Sequence, residues 1–253
     1  MVINVIETKS YVFACSFTMS SMDKRPTFSV IISANAEWEA VKSMGPDSCI
    51  EHSPYGEYFQ SIVGDDPTLF FHGGWGKVAA AASTQYVIDH FKSQYLINLG
   101  TCGGIEGRIN RFDIVAVERT VIYDIHEAMG ESQQAVAHYI TNLEVPRELP
   151  ASIIRTTMYS ADRDLTPHYL RELEKRYRPR VVDWESGSIA WVAKRNRMPL
   201  LILRGVTDMV SLDKAEADGN LALFRENARH VMESLIRDLP KVIALLRTST
   251  SKL

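Results

Sequence analysis

Strand-like and helix-like segments alternate along most of this chain, and this alternation restricts the possible folds more than any other feature of the sequence. Short runs rich in Val, Ile, Leu and Phe lead through glycines or polar residues into segments with helical spacing. The predicted strands are Phe28–Ser33, Thr68–His72, Tyr95–Leu99, Asp113–Val117, Thr120–Tyr123, Ser152–Tyr159, Val181–Trp184 and Leu200–Val206. Because a helix that connects two strands places them in parallel, the pattern predicts a largely parallel central sheet with helices on both faces.

Five segments have helical composition, and prolines affect where some of them begin or end. The predicted helices are Ala36–Met44, Gly76–Phe91, Pro167–Arg176, Ser186–Arg197 and Asn220–Leu246. Pro167 suits the first turn of its helix, and Pro240 predicts a break in the last one. Two connections are predicted as well: a tight turn at Gly100–Gly104 and an irregular loop or lid over residues 126–150.

Length and composition fit one globular domain preceded by a short extension. The chain has 253 residues, of which 45% are hydrophobic and 23% are charged, as in ordinary soluble proteins. A polar break, SSMDKRP, precedes the first predicted strand. We therefore predict an N-terminal extension over residues 1–27 and a single domain over residues 28–253, with Met22 as an alternative start.

Charge and cysteine content argue against several classes of protein. The formal net charge is −3 and no basic block occurs, so a nucleic-acid partner is not expected. No apolar run approaches the roughly 18 residues that a membrane span needs. The three cysteines are odd in number and far apart, and the seven histidines show no metal-ligand spacing. We expect a cytoplasmic protein with neither a disulfide framework nor a metal site.

Five predicted strand ends carry glycines or acids. They are Ala34–Glu37, Gly73–Lys77, Gly100–Gly104, Asp183–Glu185 and Thr207–Asp208. In open parallel sheets, ligands collect at the carboxyl ends of the strands. The segment NLGTCGG is neither a Walker loop nor a dinucleotide fingerprint, and no cofactor is predicted. The sequence thus predicts a ligand site at this edge of the sheet.

The segments VVDWES and LILRGVTD supply the most informative side chains. If the strand continues through Glu185, then Asp183 and Glu185 point to one face and a carboxylate there could bind a vicinal diol; alternatively, they are acids at a helix N-terminus. Arg204 lies in an apolar run, so we expect it to be buried beside a carboxylate. Asp208 is either a buried acid with a raised pKa, suited to donating a proton, or an ordinary turn residue.

Taken in order, these segments resemble the nucleoside phosphorylase and nucleosidase superfamily. The resemblance covers residues 28–240 and is most specific at GKVAAA, INLGTCGG, DIV followed by YD, VVDWES and LILRGVTD. It implies a single-domain, three-layer α/β/α fold with a mixed, partly barrel-like central sheet. It also implies cleavage of the N-glycosidic bond of a purine nucleoside, without a cofactor, by a homo-oligomer that we expect to be a dimer.

The resemblance also assigns roles to individual residues. It implies that Asp208 is kept protonated and donates a proton to N7 of the purine, and that Glu37 orients the attacking water. Glu185 is expected to remain ionised and bind the 2' and 3' hydroxyls of the ribose. Thr101 and Gly103 are expected to line the sugar and base.

Further residues are assigned to the edges of this site. Asp164 and Leu165 fall on the segment whose backbone binds the purine edge. Arg204 matches an arginine of the nucleosidases, with Glu37 as the expected partner. Asp183 is expected to support the site.

Two departures from the superfamily bear on the substrate. Trp184 stands where the family has a methionine under the ribose, so we expect it to reshape the pocket. Asp164 stands where the family often has an aromatic residue that stacks on the base, which leaves the identity of the base open.

The nucleophile is predicted from the segment SANAEWE. Phosphorylases of this superfamily typically carry a Gly-Asp-Pro-x-Arg signature after the first strand, whereas this segment offers acids and no cation. An acid repels phosphate and suits the activation of water, so hydrolysis is favoured. A phosphate-dependent phosphorylase and a non-catalytic nucleoside-binding or storage protein are the alternatives.

Overall fold

A computed structural model describes residues 25–45, 50–217 and 219–250 of the chain. The strands are β1 Phe28–Ile32, β2 Glu51–Ser53, β3 Gly56–Val63, β4 Asp66–His72, β5 Tyr95–Ile105, β6 Ile114–Ile122, β7 Thr141–Asn142, β8 Ile154–Ser160, β9 Val181–Asp183 and β10 Leu200–Val210. The helices are α1 Asn35–Met44, α2 Gly76–Phe91, α3 Ser132–His138, α4 Pro167–Glu174, α5 Ser186–Arg195 and α6 Leu221–Thr250. The predicted extension lies outside the described residues except for residues 25–27, as do Met22, Cys15 and Cys49.

The strands form one mixed sheet, part of which closes on itself. Its order is β10-β6-β8-β9-β5-β1-β4-β3-β2, and β10 also pairs with β5. That extra pairing closes β10, β6, β8, β9 and β5 into a ring, while β1, β4, β3 and β2 extend from β5 as an open sheet. The pairs β1–β4, β1–β5, β10–β5, β6–β8 and β8–β9 are parallel. The predicted α/β fold with a mixed central sheet is confirmed.

Helices cover both faces of the sheet, and each face has its own apolar core. One core joins α1 and α6 to the side chains of Phe28, Val30 and Ile32 on one face of β1. The other joins α2 and α5 to Ile31 and to alternate residues of β4. Since every other residue of a strand points to the same face, and both faces of β1 are buried, four of its five residues are apolar and only Ser29 is polar.

Several predicted boundaries were wrong. Gly100–Gly104 is not a tight turn, because β5 continues as a strand to Ile105. Residues 126–150 contain the short helix α3 and the strand β7. Pro240 does not break the last helix, which runs unbroken to Thr250. The hairpin of β2 and β3 was not predicted, because its strands alternate with polar residues and give a weak signal.

Candidate active site

Arg204 lies at the centre of the candidate site. It belongs to β10, is paired in register with Gly100 of β5, and is 1% exposed. Its Nη2 donates to Asn98 Oδ1 at 2.9 Å, its Nε to Ser186 Oγ at 3.2 Å and its Nη1 to the carbonyl of Thr101 at 3.3 Å. A buried charge is costly unless it is paired and hydrogen-bonded, so these contacts account for its tolerance within an apolar strand.

Three carboxylates surround the Arg204 guanidinium. Asp183 Oδ2 lies 3.2 Å from Nη2, Glu185 Oε2 lies 3.9 Å from Nη2, and Glu37 Oε1 lies 3.8 Å from Nη1. The expected partner was Glu37, but the closest carboxylate is that of Asp183. The predicted supporting residue is therefore the one that makes direct contact with Arg204. We call these four side chains the Arg204 cluster.

Glu37 is fixed in the Arg204 cluster by the start of α1. Its Oε2 accepts a hydrogen bond at 3.0 Å from the backbone of Ala34, the residue that caps the helix. Its Oε1 accepts from both the backbone N–H and the hydroxyl of Thr101, at 2.6 and 2.8 Å. The side chain is fully enclosed, so its orientation is set by these donors rather than by solvent.

Gly100 explains why β5 is glycine-rich although it is a strand. A Cβ at this position would collide with Arg204 Nη1 and would lie 2.9 to 3.0 Å from the carboxylate of Glu37. The absence of a side chain therefore lets two charged groups pack against the strand.

Asp183 is held by the N-terminus of α5 as well as by Arg204. Its Oδ1 accepts a hydrogen bond from Ser160 Oγ at 2.5 Å, and its Oδ2 accepts from the backbone N–H of Ser186 at 3.1 Å. Ser160 Oγ in turn accepts from the backbone N–H of Gly187 at 2.9 Å. The helix start, the end of β8 and the guanidinium are thus joined through one carboxylate.

The pKa of Glu185 is shifted by its place in the Arg204 cluster. Burial raises its pKa to about 8, with Asp183 acting in the same direction, while Arg204 and a hydrogen bond from the backbone N–H of Gly76 at 3.0 Å act against the rise. That Glu185 is ionised when it binds the ribose stays a prediction. Its neighbouring carboxylates and its lack of solvent outweigh a guanidinium that lies as far away as 3.9 Å.

Asp208 lies within β10, beside a β-bulge, rather than at the end of a strand. The register with β5 shifts between Val206 and Asp208, so that Thr207 is the extra residue. Asp208 is paired with Gly103, where a Cβ would lie 3.4 Å from Asp208 Oδ2. Because the bulge reverses the alternation of side chains, Asp208 points to the opposite side of the strand from Arg204.

The surroundings of Asp208 favour its protonated form. Burial raises the pKa of Asp208, and the charges of Glu216 and Asp164 add to the rise. The hydroxyl of Thr207, which donates to Oδ1 at 2.7 Å, acts against it. The expectation of a buried acid with a raised pKa agrees with this direction.

Three further predicted residues make no hydrogen bond to the Arg204 cluster among the described residues. Trp184 lies between Asp183 and Glu185 in the chain and is half-buried, and Asp164 is exposed. Leu165 is buried and packs with Val182 and other apolar side chains. The roles of these residues in the site and their ligand contacts stay predictions.

Several residues of the site were not predicted. Asn98 and Ser186 accept hydrogen bonds from Arg204, and the backbone N–H of Gly76 donates to Glu185. A polar residue in the apolar run YLINL was the available signal for Asn98. Gly76 belongs to a predicted strand end, but its hydrogen bond to Glu185 was not predicted; its φ of +75° directs its N–H to that carboxylate.

An ion-paired group lies next to this glycine. Lys77 Nζ contacts Asp124 at 2.5 and 2.6 Å and Asp162 at 3.7 Å, and its backbone N–H donates to Asp162 Oδ1 at 2.7 Å. These side chains connect the start of α2 to the loops that leave β6 and β8.

The Arg204 cluster is buried and contains more acids than bases. Three acids face one guanidinium, so a cationic group is favoured there and an anion is repelled. Among the described residues, no group of three or more His, Cys, Asp or Glu side chains is arranged to hold a metal ion. In the same part of the chain, no helix is both long and apolar enough to cross a membrane.

Comparisons with known proteins give a family match and related sequences. A profile described as the phosphorylase superfamily matches residues 37–239. The 5'-methylthioadenosine/S-adenosylhomocysteine nucleosidase of Maridesulfovibrio salexigens is 28% identical over 192 residues, which cover 70% of this chain and 80% of that protein.

Solved structures share the fold at low sequence identity. The 5'-methylthioadenosine/S-adenosylhomocysteine nucleosidase of Colwellia psychrerythraea, in complex with adenine, superposes with a TM-score of 0.68 at 16% identity and covers 85% of this chain and 95% of that one. A futalosine hydrolase mutant of Helicobacter pylori superposes with a TM-score of 0.67 at 14% identity and covers 84% of this chain and 99% of that one.

Proposed function

The chain belongs to the phosphorylase superfamily, and from that premise we propose that it hydrolyses the N-glycosidic bond of a purine nucleoside. The transition state of this reaction resembles an oxocarbenium ion, so positive charge develops on the sugar. The observation that carries the proposal is the excess of carboxylates in the Arg204 cluster. It favours a cationic sugar and disfavours a phosphate dianion as the nucleophile.

Asp208 acts as the general acid in this proposal. Burial raises the pKa of Asp208, which favours the protonated carboxylic acid that can transfer its proton to N7 of the leaving base. Its position on the opposite side of β10 from Arg204 keeps this proton away from the guanidinium and its carboxylates. Gly103 beside it leaves room for the base.

Glu37 positions the attacking water. A carboxylate has about four acceptor positions, and three donors from Ala34 and Thr101 occupy part of that capacity. A water that donates to the remaining position is held between Glu37 and Arg204. Thr101 thereby lines the sugar side of the site through the same contacts.

Glu185 binds the 2' and 3' hydroxyls of the ribose. Two hydroxyl donors stabilise the ionised carboxylate, so substrate binding lowers the pKa of Glu185 from its raised value and releases a proton. Trp184 covers the adjoining face of the sugar, Asp183 and Arg204 hold the neighbouring groups in place, and Asp164 and Leu165 lie at the purine edge.

For the substrate we propose two classes of purine nucleoside, and for the assembly a homodimer. Adenine nucleosides modified at the 5' position are the first candidates, because the relatives' names include 5'-methylthioadenosine and S-adenosylhomocysteine. Asp164, in place of a stacking aromatic residue, makes 6-oxopurine nucleosides the second candidates. We place the enzyme in the cytoplasm as a homodimer that uses no cofactor.

A nucleoside panel, assayed with and without phosphate, tests the proposal. It contains 5'-methylthioadenosine, S-adenosylhomocysteine, futalosine, adenosine, inosine and guanosine, and product analysis separates free sugar from sugar 1-phosphate. We expect free base and free sugar from at least one nucleoside, at a rate independent of phosphate. A requirement for phosphate would establish a phosphorylase, and ligand binding without base release would establish a nucleoside-binding protein.

A further inference from the structure

The ion-paired side chains of Lys77, Asp124 and Asp162 lie beside the candidate site but have no role in the proposed hydrolysis. We call them the Lys77 group. Asp124 follows β6 and Asp162 follows β8, and the backbone N–H of Asp162 donates to Asp124 Oδ2 at 3.0 Å. The side chain of Asp124 is only 8% exposed, and Lys77 contacts both of its carboxylate oxygens. Because a buried carboxylate is costly without a partner, Lys77 is the cation that keeps the two loops together.

Helix α2 has no capping side chain of its own. Trp75 precedes the helix and makes no side-chain hydrogen bond to it, and the first turn contains no acid. Carboxylates from elsewhere in the chain accept from the first two N–H groups instead. The N–H of Gly76 donates to Glu185 Oε1 at 3.0 Å, and the N–H of Lys77 donates to Asp162 Oδ1 at 2.7 Å. Consecutive peptide groups thus hold the acid assigned to the ribose and an acid of the Lys77 group.

The backbone at the start of α2 has to be fixed by contacts from outside. Gly74 and Gly76 have φ values of +78° and +75°, and glycine is the residue with the least restricted backbone. Asp162 supplies one such contact, because its Oδ1 packs so closely that a Cβ at Gly76 would lie 2.8 Å from it. The position of Asp162 depends in turn on Lys77 and Asp124, to which it is bound.

The N–H of Gly76 is the closest donor to the Glu185 carboxyl. No other hydrogen bond to this side chain is formed within the part of the chain that the structure describes, and Arg204 Nη2 lies 3.9 Å from Oε2. Burial raises the pKa of Glu185, and the Gly76 bond acts against that rise. A displaced N–H would therefore leave a carboxyl that is less well oriented and less readily ionised.

We propose that Lys77 is a positioning residue that sets the preference of the enzyme for ribosides over 2'-deoxyribosides. Lys77 holds Asp124 and Asp162 together, and Asp162 fixes the peptide N–H of Gly76. That N–H orients the carboxylate of Glu185 towards the 2' hydroxyl of the substrate. The inference rests on the proposed function, since Glu185 has to be the group that binds the ribose. Lys77 acts through these contacts and is assigned no contact with the substrate.

Substrate selectivity in the Lys77→Met variant tests the inference. The value of kcat/KM is measured for the riboside of the nucleoside panel that the wild-type protein cleaves fastest and for its 2'-deoxy counterpart. Loss of one hydrogen bond to a charged group should lower the ratio of the riboside value to the deoxyriboside value roughly tenfold. Lys77→Arg keeps a cation that can pair with both aspartates, so it should recover most of the ratio.

A second variant and a control separate this role from a loss of stability. Asp124→Asn should lower the same ratio, and it leaves no buried carboxylate unpaired, so the fold is retained. Arg108→Met is the matched control, because Arg108 pairs with Glu174 at a similar exposure but joins the loop after β5 to α4. The ratio should not change in this variant. Equal losses for the riboside and the deoxyriboside in both Lys77→Met and Asp124→Asn, or no loss for either, would overturn the inference.

Equilibrium binding distinguishes failure of the inference from failure of the proposed function. If the wild-type protein cleaves no nucleoside of the panel, the proposed hydrolysis fails, and the ratio of the Kd values for a riboside and its 2'-deoxy counterpart then decides. A preference for the riboside that is roughly tenfold weaker in Lys77→Met supports the positioning role. An unchanged preference, or a wild-type protein that binds neither compound, refutes it.

Discussion

Two aspartates of this chain show how strongly the surroundings of a residue determine its chemistry. Asp183 receives hydrogen bonds from Ser160 and Ser186 and lies 3.2 Å from Arg204, so every donor nearby stabilises its charge. Asp208 receives a hydrogen bond from the Thr207 hydroxyl but lies near other acids, and burial raises its pKa. The first is suited to holding a cation, and the second is suited to releasing a proton.

Asp208→Asn should separate catalysis from binding. The amide keeps the shape of the side chain but cannot transfer a proton, so we expect kcat to fall by about 10²- to 10⁴-fold. The affinity for a nucleoside should remain within about threefold of that of the wild type. Steady-state kinetics and calorimetry measure the two quantities, and near-normal turnover would rule out the acid role.

Glu185→Gln should change the pH dependence of stability. Burial raises the folded-state pKa of Glu185 to about 8, above the usual glutamate value of 4.5. The contribution of the protonated Glu185 carboxyl to the free energy of unfolding is therefore complete below about pH 4.5. It is lost as the pH rises through about 8. We expect the variant to match the wild type near pH 5 and to be more stable by at least about 1 kcal/mol near pH 9.

Urea unfolding at several pH values measures this difference. The exposed Glu106→Gln is the control and should follow the wild type at every pH. Parallel curves for the wild type and Glu185→Gln would show that Glu185 does not retain a proton in the folded state.

The sequence predicts which individual residues belong to the candidate site better than it predicts which of them contact each other. Arg204 stood out because a charged residue in the run LLILRGV has to be neutralised wherever that strand is buried. Which acid neutralises it depends on the closure of the sheet and on the start of α5. Those are contacts between residues far apart in the chain, so Asp183 could not be distinguished from Glu37 by spacing alone.

At the scale of single elements, the bulge in β10 connects the site to the last helix. Thr207 Oγ1, which donates to Asp208, also lies 3.4 Å from the carbonyl oxygen of Cys102, and the carbonyl of Thr207 accepts a hydrogen bond from Asn227 Nδ2 of α6 at 2.7 Å. The bond from Asn227 gives a partner to the Thr207 carbonyl, which belongs to the bulged residue and is not part of the regular strand pairing. Helix α6 thereby fixes the geometry that orients Asp208.

Asn227→Ala should impair catalysis without removing a residue that contacts the substrate. A buried carbonyl left unpaired costs about 1–3 kcal/mol of stability, and the bulge should become mobile. We expect a kcat about tenfold lower with a smaller change in KM, together with a shift of the acidic limb of the pH profile. Glu226→Ala, on the exposed side of the same helix, should leave both kcat and the pH profile unchanged. A loss of stability with unchanged kcat and pH profile would show that Asn227 has only a structural role.

The element that sequence analysis misjudged most was β5. A run of glycines normally indicates a turn, because glycine tolerates positive φ. Here Gly100, Gly103 and Gly104 lie within the strand. Because each lacks a side chain, an atom from another segment can pack against the backbone there. Such a requirement becomes visible only when the neighbouring segments are in place.

At the scale of the whole molecule, the alternation of strands and helices was enough to predict an α/β fold with helices on both faces. That alternation does not predict the antiparallel pairings of β5 with β9 and of β6 with β10. They arise because the sheet closes into a ring, and closure depends on twist and strand length rather than on local sequence. The resemblance to a family, and not the periodicity, predicted the mixed sheet.

Assembly gives a prediction at this scale. Trp75 and Val78 are apolar yet 61% and 83% exposed at the start of α2, next to the candidate site. Such exposure favours burial against a second copy. Sedimentation velocity should give twice the chain mass of 28.5 kDa for the wild type.

Val78→Glu should shift this equilibrium towards the monomer, because it introduces a charge into the contact. Met129→Glu, at a position that is 97% exposed in the loop after β6, is the matched control. A dimer in both variants would assign the interface to another surface, and a monomeric wild type would refute the dimer.

The bulge at Thr207 also decides which face of β10 presents Asp208. Arg204 and Asp208 are four residues apart, so a regular strand would place both side chains on one face, whereas the extra residue places them on opposite faces. If β10 paired regularly with β5 through Asp208, a fourth carboxylate would be directed to the side of the Arg204 guanidinium, and the proposed proton donor would leave its position. Substitutions that abolish the bulge are therefore a route by which descendants of such a chain could lose activity while every functional side chain is still present.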